Sequence, residues 1–202
     1  MAIRAVVFDI GGVLEITPKT GWDERWEREL GLAPGGLNER LMPIWRGGSL
    51  GPLTEAEVEA GVAAELGLDE RQLAAFMDDL WAEYLGTLNA ELRDYFAGLR
   101  PRYVTGILSN SFAGARRREQ ERYGFGDICD LIIYSHEEGM RKPEPRFYLL
   151  ACERLGVAPE EMIFLDDVPV VVEAALSLGI RAVLFRDNAQ AIGEIEALLA
   201  AD

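Results

Sequence analysis

Ala5 to Leu14, AVVFDIGGVL, is the stretch that most limits what this chain can become. Four apolar residues in a row, Ala5-Val6-Val7-Phe8, make a run too short to span a membrane and without the polar alternation of a half-buried strand. They read as a β-strand covered on both faces, the kind found in parallel sheets. The strand stops at Asp9, and Gly11 and Gly12 follow. Glycines let the backbone turn sharply and come close to a ligand, and open parallel sheets bind their ligands at the carboxyl ends of their strands. An Asp ahead of glycines also opens ordinary turns, so the decision rests on what else arrives at the same place.

From Asn89 on, helix and strand patterns alternate. The spacing predicts strands at Tyr103–Leu108, Leu131–Tyr134, Met162–Leu165 and Ala182–Phe185. Between and after them it predicts helices at Glu91–Leu99, Ala113–Tyr123, Pro145–Leu155, Val170–Leu178 and Ala189–Leu199. Right-handed crossovers of this kind build a parallel sheet with helices on both faces, and the first strand must join it, since alone it has no partner. The intervening region is helical throughout, at Trp22–Leu30, Leu37–Trp45, Thr54–Leu66 and Asp69–Leu85. Thr54 and Asp69 are N-caps there, and Glu57 completes a capping box. The glycine-rich Arg46 to Pro52 is expected to be a flexible loop. The expected fold is therefore α/β: a Rossmann-like, three-layer parallel-sheet core of residues 1–15 and 88–202, with an α-helical cap of residues 16–87 inserted after the first strand.

Composition narrows the partners. Thirty-five acids against 20 bases leave a net charge of −15, so no basic stripe is available to neutralise a row of phosphates. Nucleic acid and anionic membrane are excluded as partners on that ground. Arg116-Arg117-Arg118 lies beside Glu119 and Glu121 and reads as a solvated helix face. The early apolar run is broken by Asp9, which leaves no signal peptide and no transmembrane helix. Cys129 and Cys152 have no metal-like spacing and are expected to be reduced, buried thiols of a cytoplasmic protein. Nothing in the pattern fixes an oligomeric state.

The strand ends carry the chemistry. Ser109 and Asn110 follow the second core strand and can offer a hydroxyl, an amide and exposed N–H groups to an anion, or cap a helix. After the third comes Ser135 to Pro145, which contains Lys142. Eighteen of the twenty basic residues are arginine, and only Lys19 and Lys142 are not. A lysine in that rigid loop points to a need for a compact point charge. The lone His136 reads as structural or solvent-exposed. After the fourth strand come Asp166 and Asp167, which with Asp9 would repel unless a cation sat among them; hard oxygen ligands suit Mg²⁺.

Taken in order, FDIGGVL, LSNS, GMRKPEP and IFLDD resemble the four-motif series of the haloacid dehalogenase-like hydrolase superfamily, over the whole chain. Gly139 to Pro145 is especially similar to the subgroup of α-D-glucose-1-phosphate phosphatases and the N-terminal phosphatase domain of epoxide hydrolases. The resemblance implies Asp9 as the nucleophile that takes a phosphoryl group. It implies Mg²⁺ held by Asp9, the Gly11 carbonyl and Asp166, with Asp167 holding a metal-bound water or orienting the site. It also implies that Gly11, Ser109, Asn110 and Lys142 bind the phosphoryl oxygens of a small phosphorylated substrate, a sugar phosphate among the candidates. Trp45, Arg46 and the residues from Gly47 to Pro52 are the cap candidates for facing that substrate, and the pattern does not choose among them.

Two positions depart from the family pattern. Most of its phosphatases have a second Asp two residues after the nucleophile as general acid and base, where this chain has Gly11; the loss of such a group typically removes roughly 10²–10⁴ in rate. The glucose-1-phosphatase-like subgroup shares the glycine. Where many relatives have an Asn that orients the motif lysine, this chain has Val171. Three readings follow: a Mg²⁺-dependent phosphatase; a metal-independent 2-haloacid dehalogenase, against which the acid pair argues; and a binding protein with weak chemistry.

Overall fold

The structure, a computed structural model, describes residues 2–201. Its first strand, β1 (Ala5–Phe8), is buried along its whole length, as an uninterrupted apolar run requires. Because successive side chains leave a strand on opposite sides, Val6 and Phe8 enter one core while Ala5 and Val7 enter another. The chain then forms the short β2 (Glu15–Ile16) and runs through four helices, α1 (Trp22–Glu29), α2 (Gly36–Leu50), α3 (Glu55–Leu66) and α4 (Glu70–Leu85), before returning in β3 (Thr87–Leu88). β2 and β3 pair antiparallel, Glu15 opposite Leu88 and Ile16 opposite Thr87, so the outgoing and returning chains are tied together at the root of the helical segment.

Local sequence sets the starts of α3 and α4. Thr54 and Asp69 each accept the N–H of the third helical residue, and Glu57 and Gln72 reach back to the cap N–H, two complete capping boxes. The apolar faces of the four helices enclose a core of their own around Leu41, Val62, Phe76 and Trp81, closed by Phe112 and Ala115 from outside the segment. The loop expected at Arg46–Pro52 is instead mostly helix, because α2 continues to Leu50 and ends on Gly51. Gly47 and Gly48 are buried, and a Cβ on Gly48 would lie 2.5 Å from the Phe112 ring and 3.0 Å from Val58. These glycines permit close packing rather than movement, and the Gly48 carbonyl accepts the Ala113 N–H at 3.0 Å.

The remaining chain alternates as expected. α5 (Ala90–Gly98) leads to β4 (Val104–Ser109); α6 (Ala115–Tyr123) and the one-turn α7 (Phe125–Ile128) lead to β5 (Leu131–Tyr134). The one-turn α8 (Ser135–Glu138) and α9 (Pro145–Leu155) precede β6 (Met162–Asp166), then α10 (Pro169–Ser177), β7 (Arg181–Leu184) and α11 (Asn188–Ala200). All five long strands are parallel, in the order β5-β4-β1-β6-β7. Strands are added on one side of β1 as far as β5, after which the chain crosses to the other side, so the topology switches between β1 and β6. Phe96 and Ile195 from α5 and α11 cover one face of the sheet, and Phe147 and Ala175 from α9 and α10 the other. This is the three-layer α/β architecture that the strand and helix order implies. No helix among the described residues is long and apolar enough to cross a membrane.

Candidate active site

β1, β4 and β6 are neighbours, so their carboxyl ends deliver Asp9, Ser109 and Asp166 to one place. Phe8 pairs with Leu165, which sets Asp9 level with Asp166 at the switch point. Between them lies Lys142. Its Nζ is 2.7 Å from Asp9 Oδ1 and 2.6 Å from Asp166 Oδ2, and the side chain is 1% exposed. A lysine buried to this degree is tolerable only because two carboxylates surround it.

Each carboxylate has a distinct set of partners. Asp9 Oδ1 accepts from Lys142 and from the Ile10 N–H at 2.8 Å, while Oδ2 has no hydrogen bond among the described residues. Asp166 is engaged on both sides, with Oδ2 on Lys142 and Oδ1 accepting the Val168 N–H at 2.9 Å. Asp167 is exposed and turns its carboxylate toward Gly12, where any Cβ would overlap it. Gly12 has φ +75°, so both the turn and this close approach require glycine. With Lys142, Gly11 and Gly12, the three acids line a cavity of about 450 Å³.

Asn110 has a use beyond the expected one. Its side-chain amide donates to the Lys142 carbonyl at 2.9 Å and accepts the Lys142 N–H at 2.8 Å. Oδ1 and one Nδ2–H are thus used to fix the Lys142 backbone, and the second Nδ2–H is left for an anion in the cavity that Asn110 lines. The same clamp answers the question raised by Val171. Lys142 is held by Asn110, Asp9 and Asp166 without help from side chain 171, whose backbone carbonyl instead accepts the Tyr148 hydroxyl at 2.8 Å. Ser109 is the buried last residue of β4, and it is Asn110 that reaches the cavity wall. His136 stands apart from the acids, half-buried, with Nδ1 2.7 Å from the Ser111 hydroxyl; burial holds its pKa below the ordinary value.

The electrostatics favour a cation. Burial raises the Asp9 carboxyl to about 7, with Lys142 opposing and Asp166 adding to the shift. Asp167 is also raised, by burial and then by Asp166. Three acids face one lysine, and one oxygen from each of Asp9, Asp166 and Asp167 lies within 4.8 Å of the others. That hard-oxygen donor set fits a divalent ion such as Mg²⁺. Three further carboxyls are buried, Glu15 on β2, Glu27 on α1 and Glu119 on α6, the last on a helix face that reads from sequence as solvated. Burial, Glu119 and Asp9 push Glu15 up to about 9, and burial pushes Glu119 to about 7 although the Tyr134 hydroxyl donates to it.

Known proteins were compared with this arrangement. Residues 3–179 match the sequence model of a hydrolase family described as haloacid dehalogenase-like. Phosphatase MT3486 of Mycobacterium tuberculosis is 31% identical over 94% of this chain and 90% of its own length. D-ribitol-5-phosphate phosphatase of Bacteroides thetaiotaomicron is 29% identical over 88% of this chain and 89% of its own. Bifunctional epoxide hydrolase 2 of Sus scrofa is 29% identical over 97% of this chain, which spans 39% of that protein; for acyl-CoA dehydrogenase family member 10 of Mus musculus the share is 19%. Among solved structures, the HAD family enzyme bt-2542 of Bacteroides thetaiotaomicron, in complex with magnesium and inorganic phosphate, superposes with a TM-score of 0.80 at 24% identity, over 95% of this chain and 99% of that one.

Proposed function

Since this chain belongs to the haloacid dehalogenase-like hydrolases, we propose that it is a magnesium-dependent phosphatase of small phosphorylated metabolites, working through an aspartyl phosphate on Asp9. The observation that carries this reading is Lys142, a buried ammonium 2.7 Å from Asp9 and 2.6 Å from Asp166 at the edge of a cavity that Asp167 also lines. Phosphoryl transfer between two anions needs a positioned nucleophile and positive charge on the transferring oxygens. Asp9 and Lys142 supply these from the protein.

Asp9 Oδ2, the oxygen free of protein partners, forms the new bond to phosphorus as the bond from phosphorus to the leaving oxygen breaks. That oxygen takes its proton from solvent, because Gly11 has none to give. Water then attacks phosphorus, the bond to Asp9 breaks, and inorganic phosphate leaves with the Asp9 carboxylate restored. A divalent cation held by Asp9, the Gly11 carbonyl and Asp167 would supply the rest of the positive charge on the phosphoryl oxygens. Asp166 then anchors Lys142, since both of its oxygens are already engaged; this exchanges the parts that the resemblance implies for the two acids. The main chain and the remaining amide N–H of Asn110 complete the anion site, with the buried Ser109 hydroxyl behind them. Three acids around one lysine oppose the metal-independent dehalogenase reading. Gly11 favours esters with good leaving groups.

Phosphate release from p-nitrophenyl phosphate and a panel of phosphate esters tests the proposal, with D-ribitol 5-phosphate in the panel because a relative is named for it. Turnover with Mg²⁺, lost on adding EDTA and lost in a folded Asp9→Asn variant, is the expected result. Turnover unchanged in Asp9→Asn, or unaffected by EDTA, would overturn it.

A further inference from the structure

Beside the carboxylate cavity lies a second one of about 320 Å³, small on the scale of roughly 300–1,000 Å³ usual for ligand sites. Asn110 forms part of the wall of both, so the two are adjacent. Trp22, Trp45 and Tyr84 from the helical segment and Phe112 from the core line it, with Trp45 edge-on to Phe112 at 5.6 Å. Some of the polar side chains around it are already used. Ser135 Oγ donates to the Ser49 carbonyl and accepts the Ser111 N–H, Ser111 Oγ bonds His136, and the Asn110 amide clamps Lys142. The Ser49 and Tyr84 hydroxyls, the indole N–H groups of Trp22 and Trp45, one Nδ2–H of Asn110 and the exposed Arg141 remain, and Arg141 makes no ion pair or side-chain hydrogen bond among the described residues. Consecutive residues of one loop thus line different cavities, the buried Lys142 the one with the acids and the exposed Arg141 the aromatic one.

On the phosphatase reading given above, we infer that the second cavity holds the leaving group, and that it takes a flat aromatic or heteroaromatic ring bearing one anionic substituent paired with Arg141. Four rings offer stacked and edge-on contacts to a planar group. The lining is mostly apolar, so a polyol or sugar would set several of its hydroxyls against ring faces, and every buried hydroxyl left unpaired weakens binding. The unpartnered guanidinium presents a fork that matches a carboxylate or sulfonate.

The inference has a test that does not depend on turnover. Trp22 and Trp45 report on the cavity through their fluorescence, so 4-(hydroxymethyl)benzoate and benzyl alcohol are titrated into the protein in the absence of phosphate ester. Saturable quenching is expected, with the carboxylate binding about tenfold tighter than the alcohol and the difference collapsing toward one in Arg141→Gln. No saturable quenching, or equal affinities in the wild type, would overturn the inference. In turnover, the esters of three primary alcohols have similar leaving groups: 4-carboxybenzyl phosphate, benzyl phosphate and D-glucose 6-phosphate. The expected kcat/KM order is the order named, and a sugar phosphate in first place would overturn the subsite while leaving the phosphatase reading intact. Quenching as expected with no hydrolysis of any ester, p-nitrophenyl phosphate included, would overturn the phosphatase reading and with it the leaving-group assignment.

Discussion

At Gly11 the backbone does not adopt the left-handed region, and an added Cβ meets nothing within 4 Å. Room therefore exists for the general acid that most related phosphatases place there, unlike at Gly12, where φ +75° and the Asp167 carboxylate both forbid a side chain. Gly11→Asp is expected to raise turnover of an alkyl phosphate by about tenfold or more, with a smaller gain on p-nitrophenyl phosphate, whose leaving group needs little protonation. Equal gains on both esters, or none, would show that the missing acid does not limit the rate. Asp9, Asp166 and Asp167 were legible at this scale because each stands at the end of a strand whose apolar run announces it, and Lys142 because it is one of two lysines among twenty basic residues. The use of the Asn110 amide was not, since its partner is the backbone of a distant loop. Glu15 and Glu119 were equally hidden, because burial is a tertiary property that neither residue's neighbours in the chain reveal.

Capping boxes are local, which is why the starts of α3 and α4 could be read from Thr54 and Asp69. The one-turn α7 and α8 and the two-residue β2 and β3 are too short to carry a period, and none was foreseen. The glycine pair in α2 misled for a different reason. Glycine in an exposed helix is worth about 1 kcal/mol less than alanine, so Gly47-Gly48 read as a break, whereas their neighbours Leu53 and Phe112 make them a packing requirement. Gly48→Ala is accordingly expected to destabilise the protein by about 1–3 kcal/mol, against the usual direction of such a change, because the Phe112 ring is confined by Trp45 and Trp81. Urea denaturation measures this, and a midpoint raised by the alanine would contradict the packing argument.

For the whole molecule, buried acids set how stability varies with pH. Glu119 sits at about 7 in the folded protein against an ordinary 4.5, so the folded state binds its proton more tightly than the unfolded chain. Its contribution is fully present below about 4.5 and is lost as pH rises through 7. Glu15, raised to about 9, acts in the same direction over a wider range. Glu119→Gln keeps an acceptor for the Tyr134 hydroxyl and removes one titration, so between pH 5 and pH 8 the variant is expected to lose on the order of 3 kcal/mol less stability than the wild type. Denaturation curves at the two pH values decide this, and parallel losses in both proteins would place the titration elsewhere. At this scale the parallel sheet and its helical insert were legible from the order of elements, and the placing of two cavities on either side of Asn110 was not.

The central claim is that Asp9 itself carries the phosphoryl group. It is tested most directly by mixing the Mg²⁺-loaded protein with p-nitrophenyl phosphate, quenching in acid within the first turnover, and sequencing the N-terminal peptide by mass spectrometry. The account predicts the mass increment of one phosphoryl group on Asp9, disappearing once substrate is exhausted and absent in Asp9→Asn. Phosphate released with no such adduct at any time, or the adduct on another residue, would contradict it.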